Sequence, residues 1–163
     1  MMMNFKKELM VIECVNISAW YRKVRENDSK LKGLSVKTLW ALKKNMKKID
    51  DIAANFEEFR NGLEDKLKAD YFNDEKSEPA KFLDNDGKEV EGLKVKEEYL
   101  EDYQKELNSL NTEINGLLMS KEEVILNAID IESEIENMDS TDITMEDLDM
   151  LSVFEKTEDE EEA

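Results

Sequence analysis

Histidine is missing from this 163-residue chain, and cysteine and proline occur once each. Without histidine the chain lacks the commonest general base, the usual partner of a serine or cysteine nucleophile, and the commonest zinc ligand. A single cysteine, Cys14, forbids an internal disulfide, cannot assemble a thiolate metal site and suits a reducing cytosol. Its neighbours Val11, Ile12, Val15 and Ile17 mark it as a small buried apolar residue rather than a reactive thiol. There are five glycines, and they form no Walker-type or dinucleotide-binding loop. No apolar run approaches the ~18–20 residues that span a bilayer, so no membrane insertion is expected. Glu8, Glu13 and Asn16 interrupt the apolar stretch that follows Lys6 and Lys7, and no signal peptide is read there.

What the chain does have is charge and helical periodicity. Charged residues make up 39% and apolar residues 40%, and the little glycine and proline favours long helices over a loop-rich or all-β fold. The length is one domain's worth of chain. Two runs place an apolar side chain every three or four residues. The first is Leu39, Leu42, Met46, Ile49, Ala53, Phe56, Leu63 and Leu67, with Arg60 breaking one rung; the second is Leu100, Tyr103, Leu107, Leu110, Ile114 and Leu117. Steps of three and four average 3.5 residues and keep one face against a neighbouring helix, which predicts an antiparallel long-helix hairpin.

Around that hairpin the pattern predicts a first helix from about Asn4 to Arg25, with Met10, Cys14, Ile17, Tyr21 and Val24 on one face. Asn27, Asp28 and Ser29 end it, Gly33 turns the chain, and Ser35 is suited to cap a second helix that runs to about Tyr71. Trp40, Ile52 and Phe59 flank the seam of that helix and widen it. The connector 73–95 contains Pro79 and an Asp-Asn-Asp-Gly run; Asp86-Gly87 suits a type I′ turn, so a small β-hairpin is plausible. A third helix spans about Lys96 to Leu118. Residues 120–135 are ambiguous: Ser120 with Glu123 fits a capping box, whereas Val124, Ile125, Ile129, Ile131 and Ile135 are β-branched. Thr144 caps a short C-terminal helix, and Glu155–Ala163, without a large apolar residue, should be disordered.

The net charge is -18, and it is unevenly placed. Residues 120–163 hold seventeen acids against Lys121 and Lys156, a net of -15, whereas residues 22–48 carry ten bases against Glu26 and Asp28. Such a chain is repelled by nucleic acid at long range, so no direct nucleic-acid binding is expected. The basic shoulder is expected to face the acidic C-terminal part of the same molecule. Asp84-Asn85-Asp86-Gly87 fails as a calcium loop, because Gly87 at the sixth position would put Phe82 first and Leu93 twelfth. The pairs Glu57-Glu58, Glu97-Glu98 and Glu122-Glu123 read as solvated helix faces, and no spacing singles out a hydrolytic pair. No catalytic, cofactor-binding or metal-binding residue is therefore expected. Trp20, Tyr21, Trp40 and Tyr71 are the large aromatics that could mark a partner surface, with core packing as their competing use.

The order of several short motifs is familiar. Lys30-Leu31-Lys32-Gly33 precedes Lys37-Thr38-Leu39-Trp40-Ala41-Leu42 and Met46; the Asp-Asn-Asp-Gly turn follows. Then come Glu98-Tyr99, Glu106-Leu107-Asn108-Ser109-Leu110, Glu123-Val124-Ile125-Leu126, Ile143-Thr144-Met145-Glu146-Asp147-Leu148 and Leu151-Ser152-Val153-Phe154-Glu155. Over about residues 28–155 this arrangement resembles a family of small uncharacterised proteins of tailed phages of Gram-positive bacteria, whose genes lie in the late region near tail and lysis genes. The resemblance implies an extended strand near Val124–Ile131. It carries over no catalytic residues, and the first helix, the connector and the acidic tail are longer here than in that family.

The expectation is thus a mainly α fold: an antiparallel long-helix hairpin plus an N-terminal helix, with a small β element and a short C-terminal helix. Residues 1–154 would form a single helical domain and 155–163 a disordered acidic tail. The expected function is that of a non-enzymatic phage protein that binds other proteins in virion morphogenesis or late infection. Its partner would be a phage or host protein, with self-association as a further option. It would act in the host bacterial cytoplasm, with the virion as a second location. The competing expectation is an acidic nucleic-acid-mimicking inhibitor of a host defence or nucleic-acid enzyme.

Overall fold

The computed structural model describes residues 3–27, 31–136 and 143–163. In chain order its elements are β1 (Asn4–Met10), α1 (Val11–Glu26), α2 (Val36–Tyr71), β2 (Ser77–Leu83), β3 (Glu89–Val95), α3 (Glu97–Leu118), β4 (Lys121–Asn127), α4 (Ile131–Glu136) and α5 (Met145–Ser152). The fold is mainly α, and its strands form two separate two-stranded antiparallel sheets, β1 with β4 and β2 with β3. Asp28 and Ser29, expected to end the first helix, and Lys30 of the basic shoulder lie outside the described residues. The chain divides into two compact units, Met1–Asn55 with Leu118–Ala163, and Phe56–Leu117.

In the first unit the predicted opening helix is corrected. Residues 4–10 form a strand, and the helix begins at Val11. Asn4–Met10 alternates, burying Phe5 and Leu9 while Lys6 and Glu8 stay exposed, and β4 offers a matching partner: Phe5 lies opposite Leu126 and Lys7 opposite Val124. A partner more than a hundred residues away thus overrides local helical periodicity. The helix keeps its predicted face from Cys14 onward: Cys14, Ile17 and Val24 are buried in one cluster with Trp20. Glu13 folds back to accept a hydrogen bond from the Met10 amide at 3.1 Å and closes the helix start. The same core takes Leu42, Met46 and Ile49 from α2, Val124 and Leu126 from β4, and Leu151 and Phe154 from α5 and the residues after it. The strand implied near Val124–Ile131 is present as Lys121–Asn127, whereas Ile131 opens α4. Ser120 caps no helix; its carbonyl accepts from the Val11 amide at 2.9 Å.

Polar side chains close this core. Asn45 is fully buried; its amide nitrogen donates to the Asn127 carbonyl at 2.9 Å, and its oxygen accepts from the Asn127 amide at 2.7 Å. A helix side chain thereby satisfies both backbone groups at the end of β4, as a paired strand would. Ser35 caps α2 as expected, its hydroxyl accepting from the Thr38 amide at 3.2 Å. Glu134 of α4 completes the cap by accepting from the Ser35 amide at 2.9 Å, the Ser35 hydroxyl at 2.7 Å and the Thr38 hydroxyl. Thr144 caps α5, exchanging hydrogen bonds with Asp147.

The acidic tail is not free of structure. Glu162 pairs antiparallel with Phe5, the Lys6 amide donates to the Glu161 carbonyl at 2.9 Å, and the Ala163 amide donates to the Asn4 carbonyl at 3.0 Å. Lys7 sits 3.5 Å from the Glu160 carboxylate. Backbone pairing requires no apolar side chain, which is why composition alone predicts disorder here.

In the second unit, residues 56–71 of α2 run antiparallel to α3. The Tyr71 and Tyr103 rings meet edge-on with centroids 5.3 Å apart, and Leu63, Leu67 and Leu110 line one cleft. Phe56, Tyr71, Val95 and Leu110 are buried. Not every seam position is: Leu100 is exposed, as is Phe59, which the sequence placed at the seam's edge. The connector folds as the β2–β3 hairpin. Its turn is not type I′, which needs two positive φ values: among the described residues only Gly87 has one, at 78°. Instead the Gly87 amide returns to the Asp84 carbonyl, and the Asp84 carboxylate accepts from the Asp86 and Lys88 amides.

Candidate functional site

The four candidate aromatics separate. Trp20 is 3% exposed, and its indole nitrogen donates to the Asp147 carboxylate at 2.8 Å, so it is a core residue tying α1 to α5. Tyr71 is buried in the other unit, against Tyr103. Neither offers a surface. Tyr21 and Trp40 come together instead, from α1 and α2, on the rim of a groove of about 700 Å³ in the first unit.

Trp40 is 51% exposed, so its ring is a surface feature and not part of the α2 seam. The Lys43 and Lys44 ammonium groups lie over it, 5.7 and 5.3 Å from its centroid. Across the groove the Arg25 guanidinium lies 5.3 Å over the Tyr21 ring. Each cation is attracted to the electron-rich ring face, which keeps long flexible side chains in place beside the groove. Lys47 adds a fourth positive charge, buried Met46 supplies apolar lining, and Asp50 and Asp51 form a negative end. Asp50 is engaged, accepting from the Ser18 hydroxyl at 2.6 Å. Burial raises the Tyr21 pKa and Asp50 adds to that, against the opposing pull of Arg25, so the phenol stays protonated as a hydrogen-bond donor at neutral pH.

The spacing that builds this rim was readable in the sequence. Lys43, Lys44 and Lys47 stand three, four and seven residues after Trp40, and Arg25 stands four after Tyr21, which places each set on one helix face. Considered separately, as aromatics and as a basic shoulder, the two signals hid the site. The basic shoulder divides: Lys37 borders a cleft with Asp130 and Glu134 of the acidic C-terminal part, as expected, whereas the cations at the groove do not pair with it. No ion pair among the described residues joins Arg25, Lys43, Lys44 or Lys47 to an acid of residues 120–163. Lys48 points away from the groove and meets the C-terminal part, donating to the Ile125 carbonyl of β4.

Other clefts have less to offer. The one bounded by Lys37, Asp130 and Glu134 surrounds the α2 cap, where the carboxylate is already engaged. The one bounded by Lys7, Glu8 and Glu160 lies along the docked tail. Among the described residues no three Cys, Asp or Glu side chains converge to hold a metal ion, and no helix is long and apolar enough to cross a membrane. Cys14 is buried, and desolvation together with Glu13 and Glu122 pushes its thiol pKa up to about 11, which keeps it protonated and unreactive.

No protein-family model matches the chain, and neither the curated proteins nor the solved structures contain a significant match.

Proposed function

We propose that the chain is a non-enzymatic phage protein that binds another protein during virion assembly or late infection, and that it docks through the Tyr21–Trp40 groove. One observation carries the binding part: a tryptophan held 51% exposed, roofed by two lysines and facing a Tyr–Arg pair across a cleft. Exposing an indole forgoes much of the burial a core position would give it, on the order of 2–3 kcal/mol, while tryptophan and arginine are the residues that anchor protein interfaces. The phage part rests on the order of motifs over residues 28–155 and on nothing in the groove.

The competing reading, an acidic mimic of nucleic acid, has less support. Several C-terminal acids have internal roles that a continuous anionic face would not allow: Asp147 lies under Trp20, Glu134 caps α2, and Glu160 faces Lys7. The test is affinity capture from phage-producing host cells with the wild-type chain and the Trp40→Ala variant. A phage protein retained by the first and lost with the second supports the proposal. A nucleic-acid enzyme of the host retained equally by both overturns it in favour of mimicry.

A further inference from the structure

Resting on the groove reading above, we infer that the groove's occupant is a short acidic segment of a partner protein, carrying one aromatic or aliphatic side chain among its carboxylates.

The charge at the groove decides the sign of the ligand. Arg25, Lys43, Lys44 and Lys47 outnumber Asp50 and Asp51 on a molecule whose net charge is -18. At long range the chain repels anions, but exposed charges are screened beyond ~8–10 Å at physiological salt. Inside that radius the four cations set the local field. A segment with a few carboxylates feels the groove, whereas a long polyanion also feels the acidic remainder of the chain.

The stacking geometry decides the shape of the ligand. Lys43 and Lys44 cover the indole face, and Arg25 covers the Tyr21 ring. Nucleobases need those faces free for stacking, which is worth ~1–3 kcal/mol per base. A carboxylate needs the opposite: ammonium and guanidinium groups already positioned, with donors directed outward. Cations fixed by ring contact lose little further freedom when they pair with an anion. The apolar area left uncovered, that of the half-exposed indole, suits a single apolar anchor flanked by acids. The negative end at Asp50 and Asp51 gives the segment a direction, since its carboxylates must lie toward the Lys43–Lys44 side and away from that end.

The experiment uses the full chain and three fluorescently labelled probes. One is a short peptide of Glu and Asp around a single Phe; the second is the same peptide with Gln and Asn in place of the acids; the third is a single-stranded oligonucleotide of equal charge. Binding is read by anisotropy for wild type, Trp40→Ala and Lys43→Glu/Lys47→Glu, all surface changes that should leave the thermal melt in place. The inference expects the acidic peptide to bind, with about a tenfold or greater loss in either variant and with the neutral peptide about tenfold weaker. If the neutral peptide binds as well as the acidic one, and only Trp40→Ala weakens it, the docking groove stands and the acidic partner is overturned. If no variant alters the binding of any peptide, the groove reading falls as well. Tighter binding of the oligonucleotide, or self-association abolished by Trp40→Ala in sedimentation, would replace the partner segment with nucleic acid or a second copy.

Discussion

The two compact units bury their side chains by different means. In Met1–Asn55 with Leu118–Ala163, polar groups reach across the chain to close the core: Trp20 to Asp147, Asn45 to Asn127, Ser35 and Thr38 to Glu134. In Phe56–Leu117 the partners are closer in sequence, and apolar groups stay in water: Phe82, Leu83, Val90 and Leu93 of the β-hairpin are all exposed. What stiffens that hairpin is local, the Asp84 turn and the Phe82 ring lying over Gly92, where an added Cβ would come within 3.0 Å of the ring. The difference shows that exposure has two separate origins here. The hairpin's apolar side chains find no cover within their own unit. Trp40 is exposed although it belongs to a well-filled unit, and this is why the groove rather than the hairpin is assigned to binding.

The largest effect expected from this comparison lies at the fully buried Phe154. Phe154→Ala should cost about 3–5 kcal/mol through lost burial and the cavity left behind. Chemical denaturation measures it, and a cost below about 1 kcal/mol would mean that the first unit is not the tightly packed one.

Next comes the helix pair of the second unit. Leu110 is at the edge of full burial and Leu100 is 42% exposed, although they share one periodic run. Leu110→Asp should cost several kcal/mol, on the order of a core truncation plus a charge brought into apolar surroundings. Leu100→Asp should stay within about 0.5 kcal/mol. Equal thermal shifts for the two variants would remove the α2–α3 packing from this account.

These residues also show what the sequence could tell. Period-3.5 spacing marked α2 and α3 correctly because helix patterns are local. It erred at Leu100 because periodicity says which residues share a face, not whether the facing element extends that far. The strand at Asn4–Met10 was missed because its reason is β4, which is distant in sequence and itself read ambiguously. Asn45 could not have been singled out: an asparagine in a helix is ordinarily a surface residue, and only the fold brings the Asn127 backbone to it. Two members of the groove rim were legible by type, Tyr21 and Trp40, whereas their pairing needed α1 and α2 side by side.

A smaller, pH-dependent effect is expected at the α2 cap. Partial burial works to raise the Glu134 pKa, but the hydrogen bonds from Thr38 and Ser35 outweigh it and leave it lowered from 4.5. A carboxylate depressed in the fold stabilises it above the unfolded value, and that contribution is lost as the pH falls through the folded one. Wild type should therefore lose stability relative to Glu134→Gln on going from pH 6 to below the carboxylate range, roughly pH 3–4. A stability difference between the two proteins that stays constant across this interval would mean the cap does not depend on the charge.

The smallest effect should come from the tail. Glu155–Ala163 is held by few contacts: two backbone hydrogen bonds to β1, each worth about 0.5–1.5 kcal/mol net, and the partly buried Lys7–Glu160 ion pair, whose attraction is set against the desolvation of both groups. Ordering the terminal residues costs about 1–2 kcal/mol apiece, and this offsets most of that gain. Deleting 155–163 should thus change stability by less than about 1 kcal/mol, a shift of roughly 2–4 °C or less in the melt of a chain this size. Local protection should respond more than global stability does, because the Lys6 amide loses its acceptor at Glu161. Hydrogen exchange at Lys6 is then expected to speed up on deletion while the fully buried Ile49 on α2 keeps its rate. Unchanged exchange at Lys6 would mean that the edge of β1 is open in solution; a melt lowered by ten degrees or more would mean that the tail belongs to the core of its unit.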